Sequence, residues 1–155
     1  MDLNKLTQSE RVIGISAIAL FIFSFFPWYG KFSGSRNGWD YFLFGVIPVL
    51  LGIIMVVQIA LVRFSQTKLP DLPITWAQVH LIAGGLAALL VLLKLIIGDK
   101  VGGGTLLGTP IPSISLDRKF GIYLSFLATI GLVVGAFLKN QESAEAAPPA
   151  APPAA

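Results

Sequence analysis

Four long apolar runs restrict the folds open to this chain. They occupy approximately residues 12–28, 41–62, 74–97 and 120–138. Each approaches the ~20 residues that an α-helix needs to cross ~30 Å of hydrocarbon. The chain is 55% hydrophobic and 12% charged, whereas about a quarter of residues are charged in soluble domains. The runs therefore predict an all-α membrane protein with four transmembrane helices in an antiparallel up-down bundle.

The predicted transmembrane domain covers residues 1–140, and a tail covers residues 141–155. Two Pro-Pro pairs among alanines make the tail too poor in apolar surface to fold, so we expect it to be disordered. The first run ends in bulky aromatic residues where a signal peptidase needs small ones, which predicts an uncleaved helix. Thr7 and Glu10 have the spacing of a capping box at its start.

Glycine and serine recur in residues 30–40, and glycine and proline recur in residues 98–117; these segments connect the first run to the second and the third to the fourth. These residues favour turns, so both segments are predicted to be irregular loops. Pro48 lies inside the second run and lacks the N–H that would bond back four residues. We therefore expect a bend or a local opening of that helix.

Polar residues at membrane depth are the first candidates for a function, because each is costly to bury in lipid. Gln58 and His80 are predicted at similar depth on two helices that form a hairpin, where a hydrogen bond between them is the ordinary outcome and a proton or ligand site is the alternative. Lys94 is level with Asp40 near the opposite interface. It pairs with that carboxylate or extends to the interface unpaired.

Small residues recur at helical spacing in the third and fourth runs, including a GxxxG pattern in the fourth. Small faces let membrane helices approach closely, which predicts contact between these two helices or with a partner. The candidate helix-packing residues are Gly84, Ala88, Gly121, Ala128, Gly131 and Gly135.

Aromatic and basic residues near the ends of the runs are typical of anchors at the level of the lipid headgroups. Binding of a lipid-like or envelope ligand by the loop aromatics is a minor alternative. The candidate interfacial anchors are Trp28, Tyr29, Trp39, Trp76, Arg118 and Lys119.

The sequence offers little for catalysis or cofactor binding. Cysteine is absent, which removes thiolate ligands and thiol nucleophiles, and no metalloprotease, serine-hydrolase or phosphate-loop motif occurs. We expect no enzyme activity, no catalytic residues, no metal and no cofactor. The formal net charge of +3 is spread along the chain, so a nucleic-acid partner is not expected.

Lys and Arg counts barely distinguish the two faces of the membrane. The face with both termini carries Lys5, Arg11, Arg63, Lys68 and Lys139, and the opposite face carries Lys31, Arg36, Lys94, Lys100, Arg118 and Lys119. A short charged N-terminus before an uncleaved helix, and connectors rich in glycine and tryptophan on the opposite face, favour cytoplasmic termini in a bacterial cytoplasmic membrane.

Three short motifs resemble an uncharacterised family of small four-span integral membrane proteins of bacterial, actinobacterial type. They are Phe25-Phe26-Pro27-Trp28, Asn37-Gly38-Trp39-Asp40 and the segment Arg118-Lys119-Phe120-Gly121-Ile122-Tyr123-Leu124. The resemblance covers most of residues 12–138. It implies the four-span architecture and no activity.

Two functions fit these features. The first is a non-enzymatic structural or interaction subunit, or an accessory protein, of a cell-envelope membrane complex; its partners are the lipid bilayer and further copies of itself or a larger complex. The second is a small transporter or channel component that uses His80 and Gln58.

Overall fold

The computed structural model describes residues 3–32, 34–149 and 151–154. In these residues, four α-helices pack side by side, and strands occupy two of the connections between them. The helices are α1 (Gln8–Phe23), α2 (Ile47–Phe64), α3 (Trp76–Ile97) and α4 (Phe120–Glu145). The strands are β1 (Pro27–Lys31), β2 (Gly34–Asn37), β3 (Asp99–Gly102), β4 (Thr105–Leu106), β5 (Thr109–Pro110) and β6 (Ser113–Arg118).

The prediction of an all-α bundle with four transmembrane helices is wrong. Within the described residues, three helices are long and apolar enough to cross a membrane: Phe42–Phe64, Trp76–Ile97 and Phe120–Glu145. α1 has 16 residues, about 24 Å at ~1.5 Å per residue, which is shorter than ~30 Å of hydrocarbon. The segments predicted as loops contain a curled four-stranded antiparallel sheet.

The outer surface of the helices is apolar. Ile15, Ile54, Ile82 and Leu127, one from each helix, are all more than half exposed. A contiguous apolar surface of this kind is unusual on a soluble monomer. This surface, like the three long helices, is compatible with a membrane location.

α1 lies antiparallel to α4. At one end of the pair, Ser9 Oγ donates a hydrogen bond of 2.6 Å to Glu142 Oε2. At the other end, Gly121 approaches Pro27, just beyond α1. Thr7 forms the predicted capping box with Glu10 at the start of α1, and Ile13 is fully buried against α4. The N-terminal end of α1 and the C-terminal end of α4 therefore lie together.

The helix containing Pro48 opens as predicted. Residues Phe42–Val46 form one π-helical turn directly before α2, and Pro48 occupies its first turn. Val46 N donates to Tyr41 O at 3.1 Å, five residues back. Pro48 has no N–H to donate to Phe44, so the α-helical pattern is interrupted here, and the wider turn lies directly before this position.

The candidate helix-packing residues lie at contacts between α4 and two neighbours. A Cβ on Gly84 of α3 would lie 3.3 Å from the Leu132 carbonyl of α4, whereas Gly131 and Gly135 face α1. Ala128 is buried, and Ala88 is half-buried. The GxxxG pattern thus packs against α1 within the same chain. The surface of these two glycines is covered by α1 and is not open to a partner helix.

Alanine at Gly135 is expected to lower the free energy of unfolding by about 2 kcal/mol, because its Cβ would lie 2.9 Å from the backbone nitrogen of Ile13. Alanine at Gly131 would meet the Ser16 hydroxyl, which Ser16→Ala removes. SDS titration in mild detergent should therefore show rescue of Gly131→Ala by Ser16→Ala but no rescue of Gly135→Ala. Rescue of both variants by Ser16→Ala, or of neither, would contradict this packing.

The strand order of the sheet is β2-β1-β6-β3. Tyr29 is opposite both Arg36 of β2 and Arg118 of β6, and Asp99 of β3 is opposite Leu116 of β6. Side chains of opposed residues share one face of a sheet, and Leu116 on this face packs against buried residues of α3 and α4. The inner face of the sheet is thereby joined to the ends of the helices. β4 and β5 form a separate hairpin beyond β3 and β6.

α4 extends beyond its predicted end at residue 138. It continues to Glu145, so its last turns include residues assigned to the disordered tail. Glu142 bonds to Ser9, and Ser143 Oγ donates to Lys139 O at 2.9 Å. These bonds to α1 and to the preceding turn account for the added length.

Candidate functional site

Asp99 is the centre of a polar cluster where the sheet meets the helices. Tyr41 Oη donates to Asp99 Oδ2 at 2.7 Å, and Arg36 Nη1 donates to the same oxygen at 3.1 Å. Lys94 Nζ donates to Oδ1 at 3.1 Å. These four residues, the Asp99 cluster, come from β2, the position directly before the π-helical turn Phe42–Val46, the last turn of α3 and the start of β3.

Lys94 is buried within the Asp99 cluster, where its ammonium group contacts a carbonyl oxygen and an aromatic ring in addition to Asp99. Its Nζ donates to the carbonyl oxygen of Gly98 at 3.0 Å and lies 4.0 Å from the centre of the Tyr41 ring. This ring contact adds a cation–π attraction. The predicted partner Asp40 is engaged elsewhere, because its Oδ2 accepts from Asn37 N at 2.7 Å in a local cap.

Burial opposes ionisation of Asp99, but the hydrogen bonds from Tyr41 and Lys94 outweigh it and hold the pKa of the carboxyl below its ordinary value. Burial also raises the pKa of Tyr41 far above its usual range, and the neighbouring carboxylate adds to this effect. Tyr41 therefore remains a donor, and Asp99 remains an acceptor, at neutral pH.

Acid is expected to loosen the Asp99 cluster. The folded pKa of Asp99 lies below the ordinary value of 3.8, so its contribution is complete above that value and is lost as pH falls through the folded pKa. Relative to wild type, Asp99→Asn should lose about 2 kcal/mol at pH 7, and the difference should shrink below pH ~4. SDS titrations at several pH values measure it, with Asp71→Asn as the exposed control; a constant difference would contradict it.

Trp28 and Tyr29, predicted as interfacial anchors, are fully buried and therefore cannot contact headgroups. Trp28 Nε1 donates to Phe23 O at 3.2 Å. Tyr29 Oη donates to Lys94 O at 2.6 Å, and burial raises the pKa of Tyr29 to about 12. Both side chains hold β1 against the helices instead.

The other predicted anchors have mixed positions. Trp39 is partly exposed and lies 5.5 Å from the ring of Phe25, and Trp76 Nε1 donates to a loop carbonyl at 3.3 Å. Arg118 donates to the carbonyl oxygens of Leu95 and Ile96 at the end of α3. Lys119 is exposed.

A second charged cluster lies at the opposite end of the helices. Glu10 of α1 is 2% exposed and accepts from Arg63 Nε at 2.8 Å and from Lys139 Nζ at 2.8 Å. These three residues, the Glu10 cluster, join α1, α2 and α4. Each end of the helical unit is therefore fastened by one carboxylate that binds two cations.

His80 is buried between α2 and α3 but does not bond to Gln58. Its Nδ1 lies 2.8 Å from Trp76 O and its Nε2 lies 3.4 Å from Met55 O. Carbonyl oxygens only accept, so the shorter contact requires a proton on Nδ1. Gln58 Oε1 is buried without a hydrogen-bond partner among the described residues. Gln58 follows Met55 by three residues on α2, about one helical turn.

A groove of about 300 Å³ lies on the inner face of the curled sheet, beyond the Asp99 cluster. All four strands or the turns next to them contribute to it. Its apolar wall consists of Phe32, Val101, Ile114 and Leu116, and its two cations are Lys31 and Arg36. We call this feature the sheet groove.

Sequence reasoning missed the sheet groove and the role of Asp99. Asp99 directly follows Gly98, which has φ +77 and ends α3. This position resembles an ordinary helix end. The alternation Ser113-Ile114-Ser115-Leu116 is a period-2 strand signal that was available for β6. Arg36 and Tyr41 had no sequence signal for their shared contact, since 58 or more residues separate each from Asp99.

No group of three or more His, Cys, Asp or Glu in the described part of the chain is arranged to hold a metal ion. The buried charged groups instead form ion pairs between helices and strands. Comparisons of the chain with protein-family models, with curated proteins and with solved structures gave no match.

Proposed function

We propose that this protein is a non-enzymatic integral membrane protein that serves as a structural or interaction subunit, or as an accessory protein, of a cell-envelope complex. Its apolar helices anchor it in the lipid, and the β-sheet unit contacts the partner. The observation that carries this proposal is the exposed apolar tip of the β4–β5 hairpin. Leu106 is 65% exposed and Leu107 is 99% exposed.

The hairpin is placed to reach a partner beyond the helices. Leu107 is eight positions beyond Asp99, at the start of β3, a contour of at most about 27 Å in extended chain. An exposed pair of leucines on such an arm is costly in water and is typical of a surface that a partner covers.

The buried charged residues form ion pairs between structural elements, which favours an interaction role over catalysis. The Asp99 cluster joins the sheet to the helices, and the Glu10 cluster joins three helices at the other end. Groups that hold two elements together in ion pairs are already engaged and act as structural ties. They support a rigid sheet unit on a helical base.

We place the protein in the bacterial cytoplasmic membrane with both chain ends facing the cytoplasm and the sheet on the opposite side. The contact between Ser9 and Glu142 supports a common side for the two ends. The short charged N-terminus before α1 supports the cytoplasmic side for these ends, because the Lys and Arg counts of the two faces, five and six, do not separate them.

A transporter or channel component is the second candidate. The observation that favours it is Gln58 Oε1, which is buried without a partner among the described residues and lies on α2 three residues after Met55, the residue whose carbonyl oxygen is 3.4 Å from His80 Nε2. His80→Ala would then abolish a substrate flux while leaving the fold intact. An unchanged flux in a folded variant would remove this candidate.

Site-specific photo-crosslinking in cells tests the interaction role. A photoreactive amino acid at Leu107 is expected to give a discrete crosslinked product, which is either a protein of the complex or a second copy of this chain. The same photoreactive amino acid at Gln66, an exposed position in the connection at the opposite end, is the control. Leu106→Asp should abolish the Leu107 product. The absence of a product at Leu107 in a folded protein would contradict the proposal.

A further inference from the structure

We propose that the sheet groove binds an anionic lipid of the surrounding bilayer, with an acyl chain along the apolar wall and the headgroup at Lys31 and Arg36. This inference rests on the proposed anchoring of the helices in the lipid and assigns a ligand to the sheet beside them. Four observations carry it: the apolar wall, the two cations, the charge of the sheet end and the position of the groove beside the helix ends.

The apolar wall is continuous across neighbouring strands. Val101 of β3 and Ile114 of β6 are opposite each other, and Leu116 follows on the same face. Val101 is 43% exposed and Ile114 is 48% exposed, although both point to the concave side of the sheet. The groove volume of about 300 Å³ lies at the lower end of the ~300–1,000 Å³ of small-molecule sites. It can take part of one acyl chain.

Two cations lie at the groove and retain capacity for an anion. Lys31 Nζ contacts Ser115 O at 3.5 Å, the outer limit of a hydrogen bond. Arg36 uses Nη1 for Asp99, and its side chain remains 45% exposed. A guanidinium has five N–H donors, so Arg36 can bond to Asp99 and to a phosphate together. An ammonium and a guanidinium are the side-chain groups that bind phosphate most often.

The net positive charge of the chain, +3, comes from the segments at the end of the helices that carries the sheet. The segments on that side carry six Lys and Arg and three acidic residues. The segments at the opposite end carry five of each sign. The sheet end therefore attracts an anion over a longer range than the contact with Lys31 and Arg36.

The groove begins where headgroups lie if the helices cross the bilayer. Val101 is four residues after the end of α3, and Leu116 is four residues before the start of α4. β2 and β3 are the two edges of the curled sheet, and both line the groove. A lipid chain can therefore enter between the edges without breaking a strand pair.

Lipid retention in nanodiscs tests the proposal directly. The full chain is reconstituted in phosphatidylcholine containing a minor fraction of phosphatidylglycerol, and bound lipids are counted by native mass spectrometry after release. The wild type is expected to retain phosphatidylglycerol in preference to phosphatidylcholine by about tenfold, the ratio that one good charge-assisted contact supplies.

Matched variants separate the groove from general charge. Lys31→Gln and Ile114→Asp should each lower retention of phosphatidylglycerol by about tenfold. Lys100→Gln and Ser115→Asp make the same charge changes on the opposite face of β3 and β6 and should stay within about twofold. Phe32→Ala, at a side chain that is 93% exposed, tests the wall without risk to the fold and should also lower retention.

Three outcomes would overturn the proposal: no preference for phosphatidylglycerol in the wild type, equal losses in Lys31→Gln and Lys100→Gln, or a bound peptide in the groove in place of lipid. The Leu107 crosslink in cells does not depend on this assay. If the wild type shows no preference for phosphatidylglycerol but still gives the Leu107 crosslink, the lipid site alone is rejected. If the Leu107 crosslink is missing, the interaction role is rejected.

Discussion

Replacing Glu10 with glutamine is expected to lower the free energy of unfolding by about 3 kcal/mol. Glu10 is 2% exposed and accepts from Arg63 and Lys139 at 2.8 Å each. Removing its charge leaves two cations without their partner at the contact of α1, α2 and α4, and breaking a buried ion pair in this way typically costs about 3–5 kcal/mol. Arg63 is 37% exposed, so water offsets part of this loss and places the effect near the lower limit.

SDS titration in mild detergent, followed by circular dichroism, measures the change. Glu145→Gln removes the same charge from an exposed position near the end of α4 and should change stability by less than about 0.5 kcal/mol. Adding Lys139→Met to Glu10→Gln should recover part of the loss, because one unpaired cation is removed. A Glu10→Gln variant as stable as Glu145→Gln would contradict the structural role of the Glu10 cluster.

Replacing Gly45 with alanine should have an effect of similar size, about 3 kcal/mol, by steric overlap. A Cβ at Gly45 would collide with the carbonyl oxygen of Gly38 and lie 2.7 Å from its carbonyl carbon. Both clashing groups are backbone, so no side-chain rotation relieves the contact. Gly45 N also donates to Tyr41 O at 2.8 Å, so any shift of the π-helical turn is transmitted to the Asp99 cluster.

Gly85 provides the matched control for Gly45. A Cβ on Gly85 meets nothing within 4 Å, and alanine is favoured over glycine inside a helix by about 0.5–1 kcal/mol. Gly85→Ala should therefore keep or raise the stability measured by SDS titration. Equal stabilities of Gly45→Ala and Gly85→Ala would show that Gly38 and Gly45 are not in contact.

Hydropathy predicted the positions of the long helices because a continuous apolar run has few alternatives to a helix in lipid. Local chemistry predicted the cap at Thr7 and the opening before Pro48 for a similar reason, since both depend on residues within one or two turns. α1 is the exception. Its run continued through residue 28, but the chain leaves the helix after Phe23 and Trp28 lies in β1.

The sheet was not predictable to the same degree. β1 contains Pro27 and Gly30, and β2 reads Gly-Ser-Arg-Asn, which are poor strand formers. β1 pairs with β2 on one side and on the other with β6, which lies about 80 residues away in the sequence. Such strands form because Trp28, Tyr29 and Leu116 are buried against the helices, and tertiary burial overrides local preference.

In the candidate site, too, the sequence indicated single residues but not their distant partners. The sequence singled out Lys94 and His80, because an ionisable group in an apolar run is conspicuous. It did not indicate their partners. Lys94 bonds to Asp99, which lies in the segment that was predicted to be an irregular loop, and His80 faces backbone carbonyls that no residue pattern indicates.

Single-cysteine labelling tests the central claim most directly, because the chain contains no native cysteine. The claim is that the apolar helices anchor the protein in the bilayer and hold the sheet on the side opposite both chain ends. In sealed vesicles, an impermeant maleimide should label Leu107→Cys and Ala147→Cys from opposite sides and should leave Leu89→Cys, on the lipid-facing surface of α3, unlabelled. Labelling of Leu107→Cys and Ala147→Cys from the same side would contradict the account.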